Sequence, residues 1–145
     1  LAQLGLAASI QPQHAMDDRD VITRFWGNPA GVPYAFNALH EAGTKLLMGS
    51  DAPVAPLDPW LAISAAVFGT ESSDREPFQP EQCLDFEHAL ASSTAQGRTD
   101  LRVGDNADLV LLDRDPSIID EPESMQAMPE HIVGTMLSGR WTYQR

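Results

Sequence analysis

Two short and largely apolar runs, each followed by a turn and a polar side chain, place the strongest constraint on the fold of this chain. Residues 6–10 (LAASI) lead into residues 11–12 (QP), and residues 45–48 (KLLM) lead into residues 49–51 (GSD). Runs without polar alternation are typical of strands buried on both faces of a parallel sheet. The sequence therefore predicts two buried strands that each end in a loop.

A helical pattern follows the first of these runs. Residues 17–26 carry an apolar stripe that stops before Gly27, and Asp17 or Asp18 can serve as the N-cap. The stripe consists of Val21, Ile22, Phe25 and Trp26. We therefore expect a short amphipathic helix that completes one βα unit.

Three more helices are predicted from their start and stop signals. One runs through residues 35–42 and ends at Gly43, and another follows Asp58, has proline in its first position and ends at Gly69. The last of the three is capped by Asp85. Two segments rich in Gly, Pro or polar residues are predicted as loops, residues 28–33 and residues 70–80. The second of these loops is expected to be exposed.

From residue 101 onward the pattern becomes that of antiparallel strands. Residues 107–113 (ADLVLLD) predict a strand, and residues 132–143 predict a hairpin that turns at Ser138-Gly139. Between them, residues 113–131 contain three prolines and many acidic side chains, which predicts a loop.

This change of pattern predicts two domains. Strands that alternate with helices imply a parallel sheet, whereas consecutive strands imply hairpins. We place the boundary within residues 97–104, so that residues 1–100 form one domain and residues 101–145 form another.

The charge of the chain limits its partners. Nine basic and twenty-one acidic residues give a formal net charge of −12 at pH 7, so we expect neither a nucleic-acid nor a membrane partner. The longest apolar stretch, residues 60–68, is far shorter than the roughly 20 residues of a spanning helix. Cys83, the single cysteine, cannot form an internal disulfide and is expected to pack. We predict a cytoplasmic protein without a signal peptide.

The first residues suggest that more chain precedes them. The sequence opens with Leu-Ala-Gln-Leu and has no initiator methionine, although these residues already lead into the first strand. We therefore expect the chain to be a piece of a longer polypeptide.

Two side chains stand where βα proteins carry their chemistry, at the carboxyl ends of strands. His14 lies four residues after Ile10, and Asp51 lies three after Met48. Imidazole and carboxylate both bind divalent cations, and a carboxylate can take a proton from metal-bound water. Asp51 as a turn residue and His14 as a hydrogen-bonded loop residue remain open alternatives. Two ligands are also fewer than the three protein groups that a zinc site needs.

The other histidines do not complete such a site. His40 and His88 lie within predicted helices, and His131 precedes the last hairpin, so all three are assigned to surface or packing roles. Trp60 is assigned to helix packing. The missing ligands are therefore expected outside this sequence.

The motifs of this sequence resemble the C-terminal part of the amidohydrolase superfamily, and most closely its YtcJ-like branch, amidohydrolase family 3. The resemblance rests on ASIQPQHA, on AFNALHEAGTKLLMGSDAPVAPLDPW, on VGDNADLVLLDRDP and on the closing VGTMLSGRWTY. These motifs occur in the family's order and cover nearly the whole chain.

The resemblance implies an α/β fold, the C-terminal part of a (β/α)8 TIM-type barrel followed by the C-terminal strands of a small β-sandwich. By this resemblance residues 6–10 are the sixth barrel strand, a very short stretch at residues 32–34 is the seventh, and residues 45–48 are the eighth. The last strands, from residue 101, belong to the sandwich.

The resemblance also implies an activity. Members are metal-dependent hydrolases, most often with zinc, that cleave amide or other C–N bonds outside peptides with metal-activated water. His14 matches the sixth-strand histidine, which binds metal or contacts substrate, and Asp51 matches the eighth-strand aspartate, which binds metal and acts as general base. The family's His-x-His motif, its bridging lysine and its fifth-strand histidine all lie upstream. The chain alone is therefore expected to be inactive.

Several points stay open at the level of sequence. One alternative is a non-catalytic truncated α/β fragment or binding module, and another is a small doubly wound domain, although no Gly-rich phosphate loop occurs. An incomplete barrel leaves open strand edges, so the missing barrel part or a partner chain is expected to cover them. A homo-oligomer remains open, as do the small-molecule substrate and the number of metal ions.

Overall fold

The first two strands lie side by side in a two-stranded parallel sheet. A computed structural model describes residues 1–27 and 31–145, and in it β1 (Ala7–Ile10) pairs with β2 (Lys45–Met48). Ala7 is opposite Lys45, and Ile10 is opposite Met48. The predicted strands and their parallel direction are therefore confirmed.

These strands are buried on one face only, which corrects the expectation of burial on both. Ala8, Ile10 and Leu46 are in the core, whereas Ala7 and Leu47 are exposed. Alternate side chains of a strand point to opposite faces, and in the described residues helices cover just one face of this pair.

The first helix, α1 (Pro12–Phe25), begins directly after β1, five residues before the predicted N-cap. Gln11 is the N-cap, and Pro12 occupies a first-turn position, where its missing N–H costs nothing. The buried face therefore follows a different stripe from the predicted one, Pro12, Ala15, Met16 and Ile22. Of the predicted stripe only Ile22 is buried, because Val21, Phe25 and Trp26 are exposed.

The three other predicted helices are confirmed as α2 (Phe36–Glu41), α3 (Pro59–Phe68) and α4 (Phe86–Ser93). The backbone N–H of Trp60 donates to the Asp58 carboxylate at 2.9 Å, and that of His88 donates to Asp85 at 2.8 Å. Gly69 ends α3 in a left-handed conformation, with φ of 63°. These caps satisfy backbone groups that a helix end leaves without intrahelical partners.

No strand separates β1 from β2 in the described part of the chain. Residues 32–34, expected as a short seventh barrel strand, are not extended, because Pro33 and Tyr34 form a turn in which Tyr34 has φ of 56°. Proline supplies no N–H for a strand ladder, and a left-handed residue breaks extended backbone. That strand prediction is therefore wrong. Of the loop predicted over residues 28–33, residues 28–30 lie outside the described part.

The last strands form an antiparallel sheet in the order β3 (Leu109–Leu112), β4 (Ile132–Leu137) and β5 (Arg140–Gln144). The predicted hairpin is confirmed, since Ser138 and Gly139 have φ of 49° and 76°. Two consecutive positive φ values are the geometry that joins two twisted strands with a short loop.

The segment predicted as a loop between β3 and β4 contains a helix, α5 (Pro122–Gln126). Met125 and Met128 are fully buried and belong to the same hydrophobic core as Ile63 of α3. The loop prediction is wrong here because a helix of five residues is too short to show a period in the sequence. The division into two domains near residue 100 stays a prediction.

Short 3₁₀ turns complete the structure at Ala2–Leu4, Pro80–Gln82, Pro116–Ile118 and Met128–His131. In the loop over residues 70–80, Thr70 is buried and several neighbours are half-buried, so this loop is less exposed than expected. Among the described residues, no helix has the length and apolarity required to cross a bilayer.

Candidate metal and proton-transfer site

The two side chains singled out in the sequence meet at the carboxyl ends of the parallel strands. His14 lies in the first turn of α1, directly beyond β1, and Asp51 lies three residues beyond β2. Since Ile10 and Met48 are paired, the segments that follow them leave the sheet side by side. His14 Nε2 is 3.4 Å from Asp51 Oδ2. An imidazole and a carboxylate that lie this close together can bind one cation.

Asp51 forms a turn through its backbone while its side chain turns toward His14. The N–H of Gly49 donates to the carbonyl of Ile10 at 3.0 Å, which extends the strand pairing by one residue. The carbonyl of Asp51 then accepts from the N–H of Val54 at 2.9 Å. Asp51 has φ of 57°, a left-handed conformation that aspartate tolerates better than most residues. The Asp51 carboxylate is 62% exposed and lies beside the His14 ring.

The opposite edge of the His14 ring faces a second carboxylate. His14 Nδ1 lies 3.7 Å from Asp17 Oδ2, and the two residues are three apart on α1. The His14 side chain is only 22% exposed, so the ring is held between two acidic groups. Sequence analysis treated Asp17 as an N-cap and missed this contact. The His-x-x-Asp spacing identifies it once the helix is known to begin at Pro12.

Tyr34 ties the connection before α2 to the same helix. Its hydroxyl donates a short hydrogen bond to Asp18 Oδ2. Burial, reinforced by the Asp18 carboxylate, raises the pKa of Tyr34 above its usual range. Tyr34 therefore remains neutral and donates its hydroxyl hydrogen to Asp18. This hydrogen bond joins the segment before α2 to α1.

The three other histidines lie elsewhere and contact other side chains. The rings of His40 and His88 pack against each other at a tilt of 49° with their centroids 3.9 Å apart, and His88 Nδ1 is 2.6 Å from Asp85 Oδ2. His131 Nδ1 is 2.8 Å from Asp113 Oδ1. None of them approaches the carboxyl ends of β1 and β2.

A cavity of about 300 Å³ lies at the other end of β2, lined by His40, Thr44, Lys45 and His88. The carboxyl-terminal ends of α2 and α4 border this cavity, and such helix ends attract cationic side chains. The fold thus accounts for its basic lining.

Two more sequence assignments concern Cys83 and Trp60. Burial raises the pKa of the Cys83 thiol, which opposes formation of the reactive thiolate. Trp60 is 7% exposed and packs in the core, as predicted.

The donor chemistry at His14 and Asp51 suits a divalent metal, although the set is small. Among residues 1–27 and 31–145, no group of three or more His, Cys, Asp or Glu side chains is arranged to hold a metal ion. This pair can therefore supply at most part of a metal site.

Two curated proteins are similar in sequence to this chain. The chain is 33% identical to Protein LONG AFTER FAR-RED 3 of Arabidopsis thaliana over 94 residues. This alignment covers 63% of this chain and 16% of the Arabidopsis protein. It is 27% identical over 156 aligned positions to the Bacillus subtilis (strain 168) protein named "Putative amidohydrolase YtcJ". That alignment covers 99% of this chain and 29% of the Bacillus protein. The chain thus spans less than a third of these curated relatives.

A solved structure is also similar. The crystal structure of an uncharacterized metal-dependent hydrolase from Pyrococcus horikoshii OT3 matches with a TM-score of 0.54 and 27% identity, over 66% of this chain and 20% of that one. The profile described as "Amidohydrolase family" matches residues 1–143, almost the whole sequence. The chain therefore belongs to the amidohydrolase family.

Proposed function

We propose that this chain supplies part of the active site of a metal-dependent hydrolase that cleaves an amide or another C–N bond outside peptides in a small molecule. The observation that carries the proposal is the 3.4 Å approach of His14 Nε2 to Asp51 Oδ2 at the carboxyl ends of two parallel strands. Family membership and the metal dependence named for the similar Pyrococcus protein support it.

His14 and Asp51 would hold the metal, with zinc the ion that best suits an imidazole and a carboxylate together. When bound, such a metal supplies Lewis-acid polarisation and makes a coordinated water more acidic. Since only two donors meet at the strand ends among the described residues, the remaining ligands come from outside this chain in this proposal. The chain alone is therefore inactive in this proposal.

Asp51 is the proton carrier of the proposed reaction. Its carboxylate is exposed at the strand end, so it can accept a proton from the attacking water and return it to the leaving nitrogen. His14, which is largely enclosed, holds its position beside that carboxylate and orients the metal or the substrate.

In the longer protein, β1 and β2 belong to a (β/α)8 barrel and β3–β5 belong to a β-sandwich. The open edges and exposed faces of both sheets support this assignment, because the missing barrel part would cover them. The direct pairing of β1 with β2 departs from a barrel with a seventh strand between them, so the assignment concerns the sheet and not its strand count. The acidic charge supports a cytoplasmic location without nucleic-acid partners.

A second candidate is a non-catalytic binding module that keeps the family's architecture. The small donor set in the described residues favours it. In that case the chain binds a ligand at the strand ends and does not catalyse its hydrolysis.

Replacing Asp51 by Asn in the full-length protein separates the two candidates. The variant keeps the size of the side chain but cannot carry the proton, so kcat should fall by at least about 100-fold. Asp120→Asn, an exposed substitution in the segment just before α5, serves as the matched control and should leave kcat unchanged. Retained activity in Asp51→Asn would remove Asp51 from the reaction. Hydrolytic inactivity of the metal-loaded wild type toward amide and other C–N substrates would favour the binding module.

A further inference from the structure

We infer that the cavity at the amino-terminal end of β2 is a second ligand site, which binds the anionic group of a small molecule through Lys45, His40 and the hydroxyl of Thr44. The cavity has a volume of about 300 Å³, which is within the range of small-molecule sites. Lys45 is the first residue of β2, so the cavity and Asp51 lie at opposite ends of this strand. This ligand site is therefore independent of the proposed hydrolase function.

The lining of the cavity is basic in an otherwise acidic chain. Lys45 is the single lysine of the sequence, and His40 and His88, two of its four histidines, line the same cavity. None of the described lining residues is acidic, although the chain has twenty-one acidic residues against nine basic ones. A concave surface lined by one sign of charge attracts ligands of the opposite sign.

The Lys45 ammonium is available to such a ligand. Its Nζ lies 4.0 Å from the point where a Cβ on Gly97 would stand, so the side chain extends toward the segment that follows α4. Within residues 1–27 and 31–145 this ammonium has neither an ion-pair partner nor a hydrogen-bond partner. An ammonium group can donate three hydrogen bonds, and here all three are left for a ligand.

The nearby helix ends do not compete strongly for this ammonium. In the last turn of α2 the carbonyls already accept from the N–H groups of Gly43 and Thr44, at 2.8 and 3.0 Å. In the last turn of α4 a carbonyl accepts from the N–H of Thr94 at 3.1 Å. Because these carbonyls have donors, they attract Lys45 less than open helix ends would.

Thr44 brings a second polar group without a partner to the same cavity. The residue is 4% exposed, and its hydroxyl oxygen has no hydrogen-bond partner in the described part of the chain. Native proteins rarely leave a buried hydroxyl in this state, because it has lost its hydrogen bonds to water. An anion bound beside Thr44 would give this hydroxyl an acceptor.

His40 supplies the third donor, and its neighbours hold it in place. Its ring packs against that of His88 with the centroids 3.9 Å apart, and Asp85 Oδ2 lies 2.6 Å from His88 Nδ1. The His40 ring itself has no hydrogen-bond partner among the residues that the structure describes. A neutral imidazole always carries one N–H, so His40 can donate to an anion without a change of charge.

The test measures the binding of inorganic phosphate and of acetate to the full-length protein by isothermal titration calorimetry. Metal is first removed with a chelator, and chloride keeps the ionic strength constant. We expect saturable binding, and the tighter of the two anions shows whether the ligand carries a phosphate or a carboxylate. Lys45→Met removes the charge and should lower the affinity at least about 10-fold, whereas Lys45→Arg should keep most of it.

Two further variants locate the binding and check the fold. Thr44→Val keeps the shape of the side chain and removes the hydroxyl, so it should weaken anion binding while it stabilises the ligand-free protein. Arg140→Met removes an exposed cation of β5 and should leave the affinity unchanged. Circular dichroism verifies that every variant is folded.

Three results would overturn the inference. The first is an affinity in folded Lys45→Met equal to that of the wild type, and the second is the absence of saturable binding of either anion. The third is loss of binding in His14→Gln, which would put the anion at the carboxyl ends of the strands. None of these results bears on proton transfer by Asp51, which Asp51→Asn tests separately.

Discussion

The hydroxyl of Ser64, in the middle of α3, donates a 3.2 Å hydrogen bond to the carbonyl oxygen of Pro122, the first residue of α5. Ser64 is fully buried, so this bond satisfies two polar groups inside the core. Gln126, at the other end of α5, donates to the carbonyl of Glu71 at 2.8 Å. Both ends of α5 are therefore tied to α3 and the loop that follows it.

Met125→Ala should reveal how much α5 contributes to stability. The side chain is 0% exposed, so its truncation removes buried apolar contacts and leaves a cavity, at a cost of about 2–5 kcal/mol. Ile118→Ala, whose side chain is 74% exposed, should cost less than about 0.5 kcal/mol. Urea unfolding measures both, and equal effects would contradict the burial of α5.

Asp85→Ala should destabilise α4 by about 0.5–2 kcal/mol, because it removes the side chain that accepts the N–H of His88. Asp85→Asn keeps a good N-cap oxygen and should recover most of this loss. Thermal unfolding of the pair provides the measurement. An Asn variant as unstable as the Ala variant would show that the contact of Asp85 with the His88 ring matters more than the cap.

Gly69→Ala should cost more than Gly5→Ala, although both glycines have φ of 63°. The left-handed conformation alone costs an alanine about 1–2 kcal/mol at either site. At Gly69 a Cβ would also lie 2.8 Å from Cys83 Sγ and 3.0 Å from the Phe78 carbonyl, whereas it meets nothing within 4 Å at Gly5. Overpacking adds about 1–3 kcal/mol. Denaturant midpoints that coincide for the two variants would contradict the close approach of Cys83.

Glu123 should make stability fall in acid. Hydrogen bonds from the Ser73 hydroxyl and N–H to its carboxylate lower its pKa from 4.5 to about 2. A depressed pKa contributes stability above the unfolded value, and that contribution is lost as the pH falls from 4.5 toward about 2. The stability difference between wild type and Glu123→Gln should be constant near neutrality and shrink over this range.

Ser73→Ala provides the matching control for Glu123. It removes the hydroxyl donor, so combining it with Glu123→Gln should destabilise less than the sum of the two single changes. Additive effects, measured by urea unfolding near neutral pH, would show that the two side chains act independently.

The elements that could be predicted from the sequence are those with explicit local signals. Asp58 and Asp85 cap helices where their spacing indicates, and Ser138-Gly139 turns the hairpin. Such signals act through neighbouring backbone atoms, so they are visible without knowledge of the rest of the fold.

The errors arise where distant contacts decide the structure. Helix α1 begins at Pro12 and not at the aspartates, so its first turns contribute buried residues that the predicted helix did not include. Helix α5 is recognisable only through the buried Met125 and its contacts with α3. The expected strand at residues 32–34 came from the family resemblance, and the backbone of Pro33 and Tyr34 opposes it.

The candidate site was predictable in part. His14 and Asp51 stood out because polar groups that end buried strands converge at one edge of a sheet. Asp17 could not be recognised, because its relation to His14 depends on the true start of α1. The roles of His14 and Asp51 stay predictions until Asp51→Asn is measured.

The pairing of Ile10 with Met48 makes the site tolerant of changes in chain length. One interstrand spacing, about 4.8 Å, sets the distance between the two segments that carry His14 and Asp51. The register of this pairing does not depend on how many residues join α1 to α2. Relatives can therefore gain or lose residues there during evolution while the imidazole and the carboxylate keep their separation.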